Sequence, residues 1–200
     1  MSQRLRWTGL ALALALGAGC AGAPKIEEKK VSSGNALEPF FPLAEGNAWH
    51  YEGTMLGQPV SRSIRVVGQD AGWFVYSEGE RYQFDGEGLR SPARYLLKTP
   101  LMKGTRWNSV VSISSTERYQ IESVGVRQTT PAGNFEGCVV VLVENRQDAS
   151  TQLFKRDVYC PKVGLVRFET WAEVEGKGKV PAASLELARF TFPTPAAPAP

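Results

Sequence analysis

Hydrophobic and polar residues alternate with a period of two through most of this chain. VSRSIRVVG (Val60 to Gly68) sets β-branched residues against polar ones. ERYQIESVGV places Tyr119, Ile121 and Ser123 on one side and Arg118, Gln120 and Glu122 on the other. GWFVYSEG (Gly72 to Gly79) is short, aromatic and bounded by glycines, and RYQFDGEGLR carries a DG turn between Phe84 and Leu89. GLVRFETWAEV alternates again, and EGKGK separates it from SLELARFTF. GCVVVLVEN is apolar on both sides, the composition of a central strand. Successive side chains of a strand point to opposite faces, so this rhythm predicts strands separated by turn residues. No window of a dozen residues carries an apolar stripe at helical spacing. The expected fold is all-β: an antiparallel meander forming a curved sheet, a half-barrel or a sandwich.

One phrase occurs twice. PLAEGNAW (Pro42 to Trp49) and PLMKGTRW (Pro100 to Trp107) both fit PLxxGxxW. Proline lacks an N–H and keeps the chain extended, and Gly46 and Gly104 can take a positive φ and turn it. Leucine then drops inward, and Trp49 or Trp107 opens a strand with an indole worth about 150–250 Å² of buried surface. The phrase therefore predicts a structural device starting each half of the sheet, Phe40 to Lys98 and Thr99 to Phe192. The alternative is that Trp49 and Trp107 line a site for an apolar ligand or a sugar. Nothing else repeats between the halves.

The ends differ from the middle. MSQRLRWTGLALALALGAGC has basic residues Arg4 and Arg6, an apolar run from Leu10 to Leu16, and small residues up to Cys20, the layout of an export signal. The run is shorter than the ~20 apolar residues a membrane-spanning helix needs. Ala21 to Pro39 is small, charged and turn-forming, which reads as a solvated linker. PTPAAPAP (Pro193 to Pro200) cannot pair in a sheet and reads as a disordered tail. The expected organisation is a signal at 1–19, a linker at 20–39, the β domain at 40–192 and the tail at 193–200. Losing residues 1–19 removes two of the 23 Lys+Arg and none of the 20 acids, so the mature net charge is 21 − 20 = +1. With no cluster of Lys and Arg, nucleic acid is an unsuitable partner.

LGAGC resembles the lipobox of bacterial lipoproteins, with Gly17 where that box commonly has an aliphatic residue and Leu16 one place further out. The resemblance implies cleavage before Cys20, lipid attachment to Cys20, and a membrane anchor; an ordinary secretory signal with an incidental cysteine is the alternative. Ala21 after the cysteine is compatible with the outer membrane under the sorting rule of enteric lipoproteins.

Cys138 and Cys160 then remain, an even pair in an exported chain, which suggests a disulfide. A turn centred on Ala149 makes cross-strand position numbers sum to 298, setting Val140 beside Val158, Val139 beside Tyr159 and Cys138 beside Cys160. Directly opposed Cβ atoms stand about 4.5–5.5 Å apart, closer at a non-hydrogen-bonded pair, and a disulfide needs about 3.5–4.5 Å. Two buried free thiols are the alternative.

FFPLAEGNAWHYEG, VGVRQTTPAGNFEGCVVV and YCPKVGLVRFE, in that order, are similar to a loose group of uncharacterised exported bacterial proteins with FPL..G..W.Y, PAG.F..C and G.GLV motifs. These motifs are turns and core aromatics, so they speak to fold. In outline such proteins resemble the half-barrel lipoprotein carriers of the bacterial envelope.

Chemistry is sparse. The single histidine, His50, stands between Trp49 and Tyr51 and should point the other way, to solvent. No G-x-S-x-G, S-x-x-K or H-E-x-x-H motif is present. GKGKV at Gly176 to Val180 lacks the spacing of a P-loop. No pair stands out among the acids Glu78, Glu80, Asp85 and Glu87. Two cysteines and one histidine cannot fill a four-ligand structural zinc site without carboxylates. The sequence thus points to a lipid-anchored envelope protein without catalytic residues, metal or cofactor. It would act as a binding or scaffolding module for an envelope protein or, alternatively, carry an apolar ligand such as an acyl chain or a lipoprotein in a β half-barrel.

Overall fold

The computed structural model describes residues 37–193. Twelve strands follow one short 3-10 turn, Glu38–Phe40. The first six are β1 (Ala48–Met55), β2 (Gln58–Asp70), β3 (Trp73–Tyr76), β4 (Arg81–Phe84), β5 (Gly88–Arg90) and β6 (Tyr95–Lys98). The second six are β7 (Arg106–Ser112), β8 (Ser115–Thr130), β9 (Gly133–Arg146), β10 (Thr151–Cys160), β11 (Gly164–Val174) and β12 (Gly178–Thr191). The expected all-β antiparallel meander is present, and it closes further than a half-barrel.

The sheet order, β6-β5-β4-β3-β2-β1-β12-β11-β10-β9-β8-β7, shows how the two halves join. Each half is a six-strand meander, and the two meet where β1 pairs with β12. The free edges, β6 and β7, are brought together by side chains instead of a backbone ladder. The Trp107 indole donates to the Tyr95 carbonyl at 3.0 Å, and Arg94 donates to Glu117 Oε1 at 2.6 Å. The result is a nearly closed barrel. Curvature comes from β-bulges, which tighten the local twist; the β8–β9 ladder alone shifts register three times, and β10–β11, β11–β12 and β1–β12 shift once each. At one point β1 and β12 come so close that a Cβ on Gly53 would stand 2.0 Å from the Ser184 carbonyl oxygen.

These bulges correct one sequence reading. Tyr119 and Ile121 are buried as the alternation predicts, but Ser123 does not continue their face. The shift after Ile121 flips the phase, because a strand's two faces exchange with each extra residue. EGKGK is likewise shorter as a loop than its composition suggests, since β12 already begins at Gly178.

The two PLxxGxxW copies build the same turn. Gly46 and Gly104 have φ of 85° and 90°. The Asn47 amide donates to the Ala44 carbonyl and the Thr105 amide to Met102, both at 3.1 Å. The Gly46 and Gly104 amides cap the carbonyls of Val66 and Ile121 at 2.9 and 2.8 Å. The Asn47 side chain donates to the Pro42 carbonyl at 2.8 Å, and Thr105 Oγ1 to Pro100 at 2.9 Å. Leu43 and Leu101 pack against the core from both turns. Each copy thus terminates a long strand's ladder and launches the next strand with a buried indole, which is why the phrase recurs.

One end of the barrel is plugged. Leu37 is wholly buried, and the Pro39 carbonyl accepts the Lys162 amide, so packing begins ahead of Phe40. Phe41 sets its ring 5.6–6.5 Å from those of Trp49, Tyr76, Tyr82 and Tyr159. β1 starts and β12 finishes at this end, where Ala48 pairs with Thr191. The β1–β2, β7–β8, β9–β10 and β11–β12 hairpin tips lie at the other end, carrying exposed Leu56 and Ile113.

Candidate functional site

The lumen of the barrel is the candidate site. Alternation on β10 sends Leu153, Lys155, Asp157 and Tyr159 inward, opposite Asn145, Val143, Val141 and Val139 of β9. From the other half, Trp49 and Tyr51 of β1 face the same space with Arg62 and Ile64 of β2. These side chains leave two cavities. The smaller, about 170 Å³, lies next to the Phe41 plug and is walled largely by rings, among them Trp49, Tyr51, Tyr76, Tyr82 and Tyr159. The larger, about 330 Å³, lies toward the hairpin tips between Tyr119, Val143, Leu153, Ala172 and Ala182. Leu96 and Lys155 belong to both walls, so the cavities are neighbours that meet at those two side chains.

Charges sit deep in this apolar surround. Asp157 is 2 % exposed; Lys155 Nζ stands 2.8 Å from its Oδ2, and the Tyr159 hydroxyl donates to the same oxygen at 3.2 Å. Its other oxygen, Oδ1, is buried with no partner among the described residues. Nearer the surface, Arg62 bonds both Glu78 and Glu80 Oε1, the latter at 2.9 Å, while Glu80 Oε2 and the Tyr76 hydroxyl are buried and unpartnered. Leaving a buried polar group unpaired costs about 1–3 kcal/mol, so these atoms mark places where a ligand would supply the missing bond. Burial raises the phenol of Tyr51, Tyr76 and Tyr159 well above the ordinary range and pushes Tyr82 up to about 12. Burial, helped by its bond to Glu117, raises Tyr119 as well. The lumen therefore presents neutral phenols at any physiological pH.

Of the residues singled out from sequence, Trp49 is a core side chain that also borders a cavity. It is buried, stacks on Tyr76 at 5.9 Å, donates to the Val163 carbonyl at 2.7 Å, and still walls the smaller cavity. Trp107 stacks on Tyr119 at 5.1 Å at the β6–β7 seam and walls neither lumen cavity. Cys138 and Cys160 form a disulfide with Cα atoms 4.1 Å apart, in a ladder whose pairs Val140–Val158 and Val139–Tyr159 sum to 298. His50 lies on the outer face, yet its ring is only 14 % exposed. Ser63 Oγ is 2.7 Å from Nδ1 and Glu52 Oε1 is 3.2 Å from Nε2, a hydrogen-bonded row across β1 and β2. Cys20 and the signal lie outside the described residues, as do residues 194–200 of the expected tail. Among the described residues, no group of three His, Cys, Asp or Glu is placed to hold a metal ion, and no helix is long and apolar enough to cross a membrane.

Sequence reasoning missed Lys155, Asp157 and Arg62, and named Glu80 only among acids from which no pair stood out. A signal for two of them existed: the pairing that joined the cysteines also sets Asp157 opposite Val141 and Lys155 opposite Val143, charges on an apolar face.

No family model matches the chain, and no curated protein matches it. Two solved structures are similar in outline. One is a candidate lipoprotein from Parabacteroides distasonis, 17 % identical over 76 % of this chain and 98 % of that one, with a TM-score of 0.41. The other is a candidate exported protein with a YmcC-like fold from Bacteroides fragilis, 14 % identical over 76 % of this chain and 99 % of that one, with a TM-score of 0.45.

Proposed function

We propose that this protein is a lipid-anchored bacterial envelope protein that binds a small amphipathic ligand in its barrel lumen and performs no catalysis on it. The observation that carries the reading is the cavity of about 330 Å³ in the lumen. It lies within the ~300–1,000 Å³ of ordinary ligand sites and shows their mixture of apolar wall and few polar groups. Leu96, Val143, Leu153 and Ala172 offer an acyl or similar apolar body a dry surface. The unpartnered Glu80 and Tyr76 atoms fix its polar end. The anchor reading rests on the Cys20 motif, and an outer-membrane position on Ala21 behind it.

Two measurements test this. Titration of the full chain with N-phenyl-1-naphthylamine, an apolar dye that brightens when desolvated, should give saturable one-to-one binding; a linear, non-saturating response would refute the lumen reading. Cys20→Ser should move the protein from the membrane to the soluble fraction of expressing cells. Unchanged fractionation would remove the lipid anchor, since acyl chains contribute about 0.8 kcal/mol per buried CH₂ and their loss cannot pass unnoticed.

A further inference from the structure

We propose that the smaller cavity is a site for a cationic ammonium head group, so that the ligand of the lumen is an alkylammonium-type amphiphile; this rests on the lumen being a ligand site. Three observations point there together. The first is the wall: Trp49, Tyr51, Tyr76, Tyr82, Tyr159 and Phe41 surround about 170 Å³, room for a head group of a few heavy atoms. Aromatic faces carry the negative end of a quadrupole and attract a desolvated cation, quaternary ammonium above all.

The second is the unpartnered acceptor. Glu80 Oε2 and the Tyr76 hydroxyl are buried and bond nothing among the described residues, and Tyr76 is 3 % exposed. A carboxylate oxygen lacking a donor suits a cation and repels an anion.

The third is the charge balance. Two cations border the cavity, Arg62 and Lys155, and both are already engaged: Arg62 by Glu78 and Glu80, Lys155 by Asp157. With their partners they form two ion-pair groups, Arg62–Glu78–Glu80 and Lys155–Asp157, which together carry one net negative charge, and Glu80 is the carboxylate of these that walls the cavity. An anionic head group would meet this surplus and the bare Glu80 oxygen. Leu96 and Lys155, shared by both cavities, mark where the head group would join an apolar body lying in the larger one.

The test uses three amphiphiles with one chain and different heads: decyltrimethylammonium, decanoate and 1-decanol. Each competes against bound N-phenyl-1-naphthylamine on the full chain below its micelle concentration. The ammonium compound should displace the dye at a concentration at least about tenfold lower than either rival, a margin within the range of a buried cation–aromatic contact. In Glu80→Gln that preference should fall below about threefold while 1-decanol is unaffected. If Glu80→Gln fails to fold by circular dichroism, Tyr82→Leu, which removes one ring of the wall, takes its place with the same expectation. Equal displacement by all three, or a lead for decanoate, overturns the head-group assignment and leaves the lumen a chain site. Dye binding with no displacement by any of them overturns it too. Absence of dye binding altogether sinks the lumen reading itself.

Discussion

Above pH 10 the folded protein should unfold in one steep step, with tyrosinate absorbance at 295 nm and loss of the sheet's circular dichroism rising together. All six tyrosines have phenols raised above their ordinary value of 10. For Tyr95 the first cause is its bond to Asp85, and for the other five it is burial. The sign follows from linkage. A pKa raised in the fold means that the native state keeps a proton which the unfolded chain gives up near pH 10. The stabilising contribution is whole below pH 10 and drains away as pH climbs through the folded values. Each such phenol costs about 1.4 kcal/mol of stability per pH unit above 10. Four of them, Tyr51, Tyr76, Tyr119 and Tyr159, are nearly inaccessible. Acting together, they offset a domain's ~5–15 kcal/mol within one to two pH units. Gradual tyrosine ionisation from pH 10 with the sheet signal intact would contradict the packing described for the lumen.

Removing the Cys138–Cys160 bond, by reduction or by Ala at both positions, should cost about 3 kcal/mol. The bond closes a loop with a sequence separation of 22, and a cross-link of that span restricts the unfolded chain by roughly this amount. For a domain of this size the melting temperature should fall by about 6–12 °C. The bond matters here because β9 and β10 supply the inner wall that carries Lys155 and Asp157, next to the most heavily bulged ladder of the sheet. A melting temperature unchanged on reduction would mean that the hairpin register alone holds this wall.

Strand identity was legible because the two-residue rhythm and the Gly-bounded runs report local backbone geometry, which is what a strand imposes. The β9–β10 register was legible for a related reason: a short hairpin leaves one arithmetic for pairing, and the cysteines test it. Closure of the barrel was not legible. It depends on bulges such as the shift after Ile121, which no residue type announces, and on Trp107 reaching the Tyr95 carbonyl across a seam between strands that do not pair. The lumen was only half legible. Trp49 stood out by its repeated phrase, but nothing in the sequence singled out Arg62, Glu80 or Lys155, which distant strands bring around one space. For Lys155 the pairing opposite Val143 was a sign of an apolar face, while Arg62 and Glu80 take their meaning from tertiary placement alone.

The most direct test fills the lumen. Ala172→Trp sets an indole into the wall of the larger cavity and replaces no charged group and no residue of the plug. If that space is where the ligand sits, the variant should keep its sheet by circular dichroism and lose saturable binding of N-phenyl-1-naphthylamine by at least about tenfold. A folded Ala172→Trp protein that binds the dye as tightly as the parent chain would contradict the account.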